Sequence, residues 1–267
     1  MSFQPAIVGS GIVGWRMLQR TYDTQFEVFN RGPLLERESA KFLEEVKKVE
    51  TVEDFVRNRD VMKVALGAFG LGGDINNTYF IKKVLEDGTF DPRSLANRLG
   101  DGRYKAFSEF FGFGPGELKT TGLNYKMDEV VSRYREMSFE AAVGQQDNSL
   151  RIALYAQREL PKLAETEQSD RAKWFTIMGD PPMRDMIETA LNLPKSFAQL
   201  DIDAQVPQFQ KRLRRLTGAS DVAQFATDNK ALKRLTDVYL ARSQVQAGTA
   251  GLSSGSVALS LLQLSQR

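Results

Sequence analysis

The residue groups able to do chemistry fall in four places, in a chain of 267 residues that has no histidine and no cysteine. That absence removes the neutral-pH proton shuttle, thiolate nucleophiles, disulfides and the commonest ligands of zinc, iron and copper. Carboxylates, lysines, serines and tyrosines remain, yet their spacing assembles no reaction centre. The sharpest motif is Gly9-Ser10-Gly11-Ile12-Val13-Gly14 after Ala6-Ile7-Val8, the G-x-G-x-x-G spacing that brings a backbone close to a dinucleotide pyrophosphate. Phe26-Glu27-Val28-Phe29 imitates the following strand. Pro5 shortens the first strand to three residues, Asn30 and Arg31 stand where a ribose-binding acid belongs, and no strands alternate with helices after residue 50. The favoured expectation is a glycine-containing segment leading into a helix around Trp15, Met17, Leu18 and Tyr22.

The other three places carry weaker chemistry. Asp201-Ile202-Asp203 could offer two carboxylates to a cation, but alternate residues on a helix point apart and no third acid is near in sequence. Lys211, Arg212, Arg214 and Arg215 form the densest basic run, which reads as a solvated helix face or as a grip for an acidic ligand. Phe107, Phe110, Phe111 and Phe113 could stack on bases. Their largely helical spacing without interleaved basic residues predicts core packing instead. No metal, cofactor or catalytic residue is assigned.

Around these groups the chain reads as helices. Val130, Val131, Tyr134, Met137, Phe139, Ala142 and Val143 recur at three- and four-residue steps. A break at Gly144 to Asn148 follows, and Leu150, Ile152, Ala153, Leu154, Ala156 and Leu160 restart the stripe, which Pro161 should end or kink. Thr51-Val52-Glu53-Asp54 has the form of a capping box, and Asp91-Pro92 that of a helix start. Gly112-Phe113-Gly114-Pro115-Gly116 reads as a linker. The expected fold class is all-α.

Residues 58–107 also align with 180–235 as an internal repeat. Val61, Val64, Ala65, Ala68, Phe69 and Leu71 fall opposite Met183, Met186, Ile187, Ala190, Leu191 and Leu193 at a constant offset. After a few inserted residues, Gly88, Asp91, Leu95 and Ala96 meet Gly218, Asp221, Phe225 and Ala226. The expected organisation is an N-terminal helical segment (1–50), a first helical unit (51–116), a central helix pair (126–165), a second, similar unit (170–242) and a flexible tail (243–267). That tail is polar at first and then apolar at Val257, Leu259, Leu261, Leu262 and Leu264, the pattern of a segment that docks on a partner.

Composition adds exclusions. With 36 basic against 34 acidic residues the formal charge is +2, so no strong net field draws the chain to nucleic acid or an anionic membrane. No run approaches the ~18 apolar residues of a membrane span, and the first residues lack the basic and apolar regions of a signal peptide. The expectation is a soluble, cytoplasmic protein, or one exported without a cleaved signal.

At Phe139-Glu140-Ala141-Ala142-Val143-Gly144-Gln145-Gln146 and Leu150-Arg151-Ile152-Ala153-Leu154-Tyr155 the chain resembles a family of uncharacterised alphaproteobacterial proteins. Met178-Gly179-Asp180-Pro181-Pro182-Met183-Arg184 and Asp91-Pro92-Arg93-Ser94-Leu95-Ala96-Asn97-Arg98-Leu99 extend the likeness, which spans roughly residues 5 to 245. Members of that domain-of-unknown-function family are often encoded among flagellar genes, which implies a flagellum-associated role. Ser256-Val257-Ala258-Leu259-Ser260-Leu261-Leu262-Gln263 is also similar to the C-terminal helix of flagellins. The resulting expectation is a non-enzymatic protein that binds a flagellar component or the export apparatus. The alternatives are an NAD(P)- or FAD-dependent oxidoreductase using Gly9, Gly11 and Gly14, and a module gripping an acidic ligand near Lys211.

Overall fold

A computed structural model describes residues 3–251. It is 74% helical, and no strand occurs among the described residues. The helices are α1 (Gly11–Asn30), α2 (Pro33–Glu45), α3 (Val52–Arg57), α4 (Arg59–Ala68), α5 (Thr78–Asp87), α6 (Leu95–Arg98), α7 (Gly102–Phe111), α8 (Asn124–Gly144), α9 (Asn148–Glu165), α10 (Asp170–Met178), α11 (Pro181–Ala190), α12 (Ile202–Thr217) and α13 (Asn229–Gly251). Short 3₁₀ turns intervene at Val46–Lys48, Gly72–Asp74, Lys195–Gln199 and Val222–Ala226. Contacts divide the described residues into two units: residues 3–6, 20–146 and 176–181, and residues 7–19, 147–175 and 182–251.

Helix starts follow local chemistry. The Thr51 hydroxyl accepts from the Asp54 amide at 3.1 Å while the Asp54 carboxylate takes the Thr51 amide at 2.9 Å, closing the expected capping box. Asp101 and Asp147 cap α7 and α9. Asp91-Pro92 starts no helix. Ser94 accepts from the Asn97 amide and α6 begins at Leu95, because Asp91 engages its carboxylate in a turn with the Arg93 amide at 2.8 Å. Pro161 does not end α9, which runs on to Glu165. Leu160, Leu163 and Ala164 are buried, and their packing holds the turn despite the missing amide.

In the first unit α4 packs on α8 and α2, and α3 on α5. Phe55, Phe69, Phe107, Phe110, Phe111 and Phe113 form one aromatic cluster, so the four phenylalanines of the 107–113 stretch are core. Phe139 receives Tyr22, Phe26 and Phe29 edge-on. In the second unit Trp174 stacks on Phe209 with 5.3 Å between ring centroids, and α9 packs on α13 and on the Val222–Ala226 turn.

The two aligned stretches carry the same order of elements. A ten-residue helix (α4, α11), a 3₁₀ turn and a further helix (α5, α12) follow one another in each. Gly88 and Gly218 then end α5 and α12 with φ of +62° and +100°, a conformation that side chains with a Cβ resist. The first five register pairs, from Val61 and Met183 to Phe69 and Leu191, are buried within their own units.

The boundary drawn at residue 243 lies inside a helix. Ser243 to Gly251 continue α13, because Gln and Ala favour helix and no proline interrupts them. Val257, Leu259, Leu261, Leu262 and Leu264 lie outside the described residues.

Candidate functional site

The glycine motif serves the fold. Gly9 and Gly11 have φ of +85° and +57°, and a Cβ at Gly14 would come within 2.7 Å of the Gly9 carbonyl oxygen. At Gly11 a Cβ would strike the Gln244 amide, whose Nε2 donates to the Ser10 hydroxyl. The left-handed φ at Gly11 is what favours glycine there, since the Gln244 side chain could swing aside. Phe26 to Phe29 are helical residues of α1, so the strand that a dinucleotide fold needs is replaced by helix.

Asp201 caps α12 through the Asp203 amide at 2.8 Å, and Asp203 pairs with Arg171 at 2.5 Å. In the basic run, Arg212 donates to the carbonyls of Leu191 and Asn192, closing the turn after α11. Lys211, Arg214 and Arg215 line a surface notch of about 410 Å³ with Gln210 and Ser220, and Arg214 donates to the Ser220 hydroxyl at 3.0 Å. The structure therefore brings together three of the four cations.

Two further arrangements have no counterpart in the sequence reading. The first is a pinned loop. Glu117 accepts the Thr89 amide at 2.6 Å, the Thr89 hydroxyl at 2.7 Å and the Gly114 amide at 3.1 Å. Asn97 donates to the carbonyls of Thr89 and Asp91 at 2.6 and 2.9 Å, which clamps the residues on both sides of Phe90. Gly88 and Gly114 pack so closely that a Cβ on Gly88 would stand 2.6 Å from the Gly114 Cα. The glycine-rich stretch is thus a packed turn. On this fixed frame Phe90 is 71% exposed and Leu118 88% exposed, each the immediate chain neighbour of one partner in the Thr89–Glu117 bond. Two strongly exposed apolar side chains flanking one braced hydrogen-bond cluster make this loop a candidate contact surface. The linker-like composition concealed the carboxylate that fixes it.

The second arrangement is a cleft of about 450 Å³ in the first unit. Its walls are apolar at Phe29, Pro33, Leu34, Leu35, Ala141 and Ala142. The volume exists because α8 drops to Ser138, Ala141 and Ala142 opposite the first turn of α2. At the polar edge, Glu38 accepts from Lys63 at 2.5 Å and from the Tyr134 hydroxyl at 2.7 Å. Burial, with help from that carboxylate, pushes the Tyr134 phenol well above its ordinary pKa, so it stays a neutral donor. Tyr134 was legible only as part of a helical stripe. Nothing in one dimension links it to residues 96 and 71 positions away.

The fold and these surfaces define an all-helical protein that displays apolar side chains on a braced loop and holds a cleft in its first unit. The chain belongs to the family described as "Protein of unknown function (DUF1217)", whose model matches residues 68–231. It matches no curated protein. In its fold it is similar to the crystal structure of protein AGR_C_984 from Agrobacterium tumefaciens, with 23% sequence identity and a TM-score of 0.72, over 92% of this chain and 98% of that one. Among the described residues no helix is long and apolar enough to cross a membrane.

Proposed function

We propose that the protein is non-enzymatic and acts by binding another protein during flagellar assembly or function. The observation that carries the binding role is the exposure of Phe90 and Leu118 on a loop braced by Glu117 and Asn97. Ordering a loop costs roughly 1–2 kcal/mol per residue; Phe113 of this stretch repays part of that in the core, whereas Phe90 and Leu118 stay exposed and gain nothing by burial. The family resemblance supplies the flagellar setting. The apolar C-terminal positions Val257, Leu259, Leu261, Leu262 and Leu264 remain a second docking element in this reading. The basic notch at Lys211, Arg214 and Arg215 supports a different reading, a grip on an acidic ligand, whose affinity would fall steeply with salt.

The test compares wild-type cells with cells carrying Phe90→Ser and Leu118→Ser together. Isolated flagellar basal bodies and filaments should contain the wild-type protein and lack the double variant, and spreading in soft agar should be reduced. Normal swimming by a strain that lacks the gene, together with wild-type protein confined to the soluble fraction of the parent strain, would overturn the proposal.

A further inference from the structure

We propose that the cleft between α2 and α8 is a binding site for a small uncharged amphiphile, an aliphatic or aromatic body bearing one hydroxyl or carbonyl. This goes beyond the protein-binding role and stands independently of it.

Three observations carry the assignment. First, size: a cavity of ~150 Å³ holds one benzene, so about 450 Å³ sets an upper bound of roughly eighteen heavy atoms, and an eight- to twelve-carbon body with its polar head fits within it. Second, charge. Among the described residues the only charged side chains lining the cleft are Glu38 and Lys63, and each neutralises the other at 2.5 Å. An anionic head would meet Glu38 and a cationic head Lys63, and the opposite charge in each case is already engaged in the Glu38–Lys63 pair, so a charged head finds no free countercharge at this edge. A neutral hydroxyl or carbonyl can instead reach the remaining Lys63 protons and the Ser138 hydroxyl, both of which line the cleft. Third, construction. Tyr134 is 7% exposed, and its ring is seated against Gly67, where a Cβ would stand 2.7 Å from two ring carbons. A glycine inside α4 costs about 1 kcal/mol of helix stability relative to alanine, so the ring that closes the polar edge is held in place at the expense of the helix beneath it.

The experiment uses the full chain with octanol, octanoate and octylammonium as probes, followed by calorimetry and by methyl resonances of Leu34, Leu35, Ala141 and Ala142. Octanol should bind saturably and move those methyls, while both charged probes bind at least about tenfold more weakly. Ala142→Phe should fill the cleft and abolish octanol binding with its cooperative melt intact. If that variant does not fold, Ala141→Met provides the same test with a smaller, flexible side chain. Absence of saturable octanol binding, equal or tighter binding of either charged probe, or unchanged binding to a folded, filled variant would each overturn the assignment.

Discussion

Replacing Gly67 by alanine sets two effects against each other. Helix propensity alone favours the change by about 1 kcal/mol. The added Cβ, however, would stand 2.7 Å from Cδ2 and Cε2 of Tyr134, well inside contact distance. The ring has little freedom to retreat, because its hydroxyl donates to Glu38 at 2.7 Å and that carboxylate is held by Lys63. Overpacking of this kind costs ~1–3 kcal/mol, and breaking a hydrogen bond to a charged group adds ~1.5–3 kcal/mol. Even near the low ends, after subtracting the propensity gain, Gly67→Ala should destabilise the first unit by about 2 kcal/mol. That corresponds to a drop in melting temperature of roughly 4–8 °C. Calorimetry or circular dichroism measures it, and the double-mutant cycle with Tyr134→Leu isolates the cause. In the Tyr134→Leu background the alanine should be neutral or stabilising. A Gly67→Ala protein that melts at or above the wild-type temperature would refute the reasoning, since the ring would then not be fixed.

Two more outcomes follow from the geometry. Glu117→Ala strips the partner from the amides of Thr89 and Gly114 and from the Thr89 hydroxyl, so hydrogen exchange at those two amides should accelerate by about tenfold or more while amides around Phe107 keep their rates. Unchanged exchange would mean that the loop is held by something else. At alkaline pH, burial and the Asp74 carboxylate push the Tyr104 phenol up to about 12, and burial likewise raises Tyr134 and Tyr239. Because these folded values exceed the unfolded one of about 10, their stabilising contribution is complete below pH ~10 and is lost as pH rises through about 12. Ultraviolet titration should therefore show three of the seven tyrosines ionising only as the fold gives way; all seven ionising together near pH ~10 in an intact fold would contradict this.

The sequence by itself determined the helical character, the break between α8 and α9, the capping box at Thr51 and the phenylalanine-rich core. Each of these is a local matter: a 3.6-residue period or a hydroxyl three residues from a carboxylate is written along the chain. The matching burial stripes of α4 and α11 were legible for the same reason, since they keep one offset. Tertiary structure alone decided that Pro161 stays inside a helix and that a glycine-rich stretch is a braced turn. It also decided the meaning of Glu38, Lys63 and Tyr134, three ordinary residues until two helices and a lysine from a third meet around one carboxylate. Charge pairing and close packing depend on distances in space, and residues far apart in sequence acquire those distances only when the chain folds.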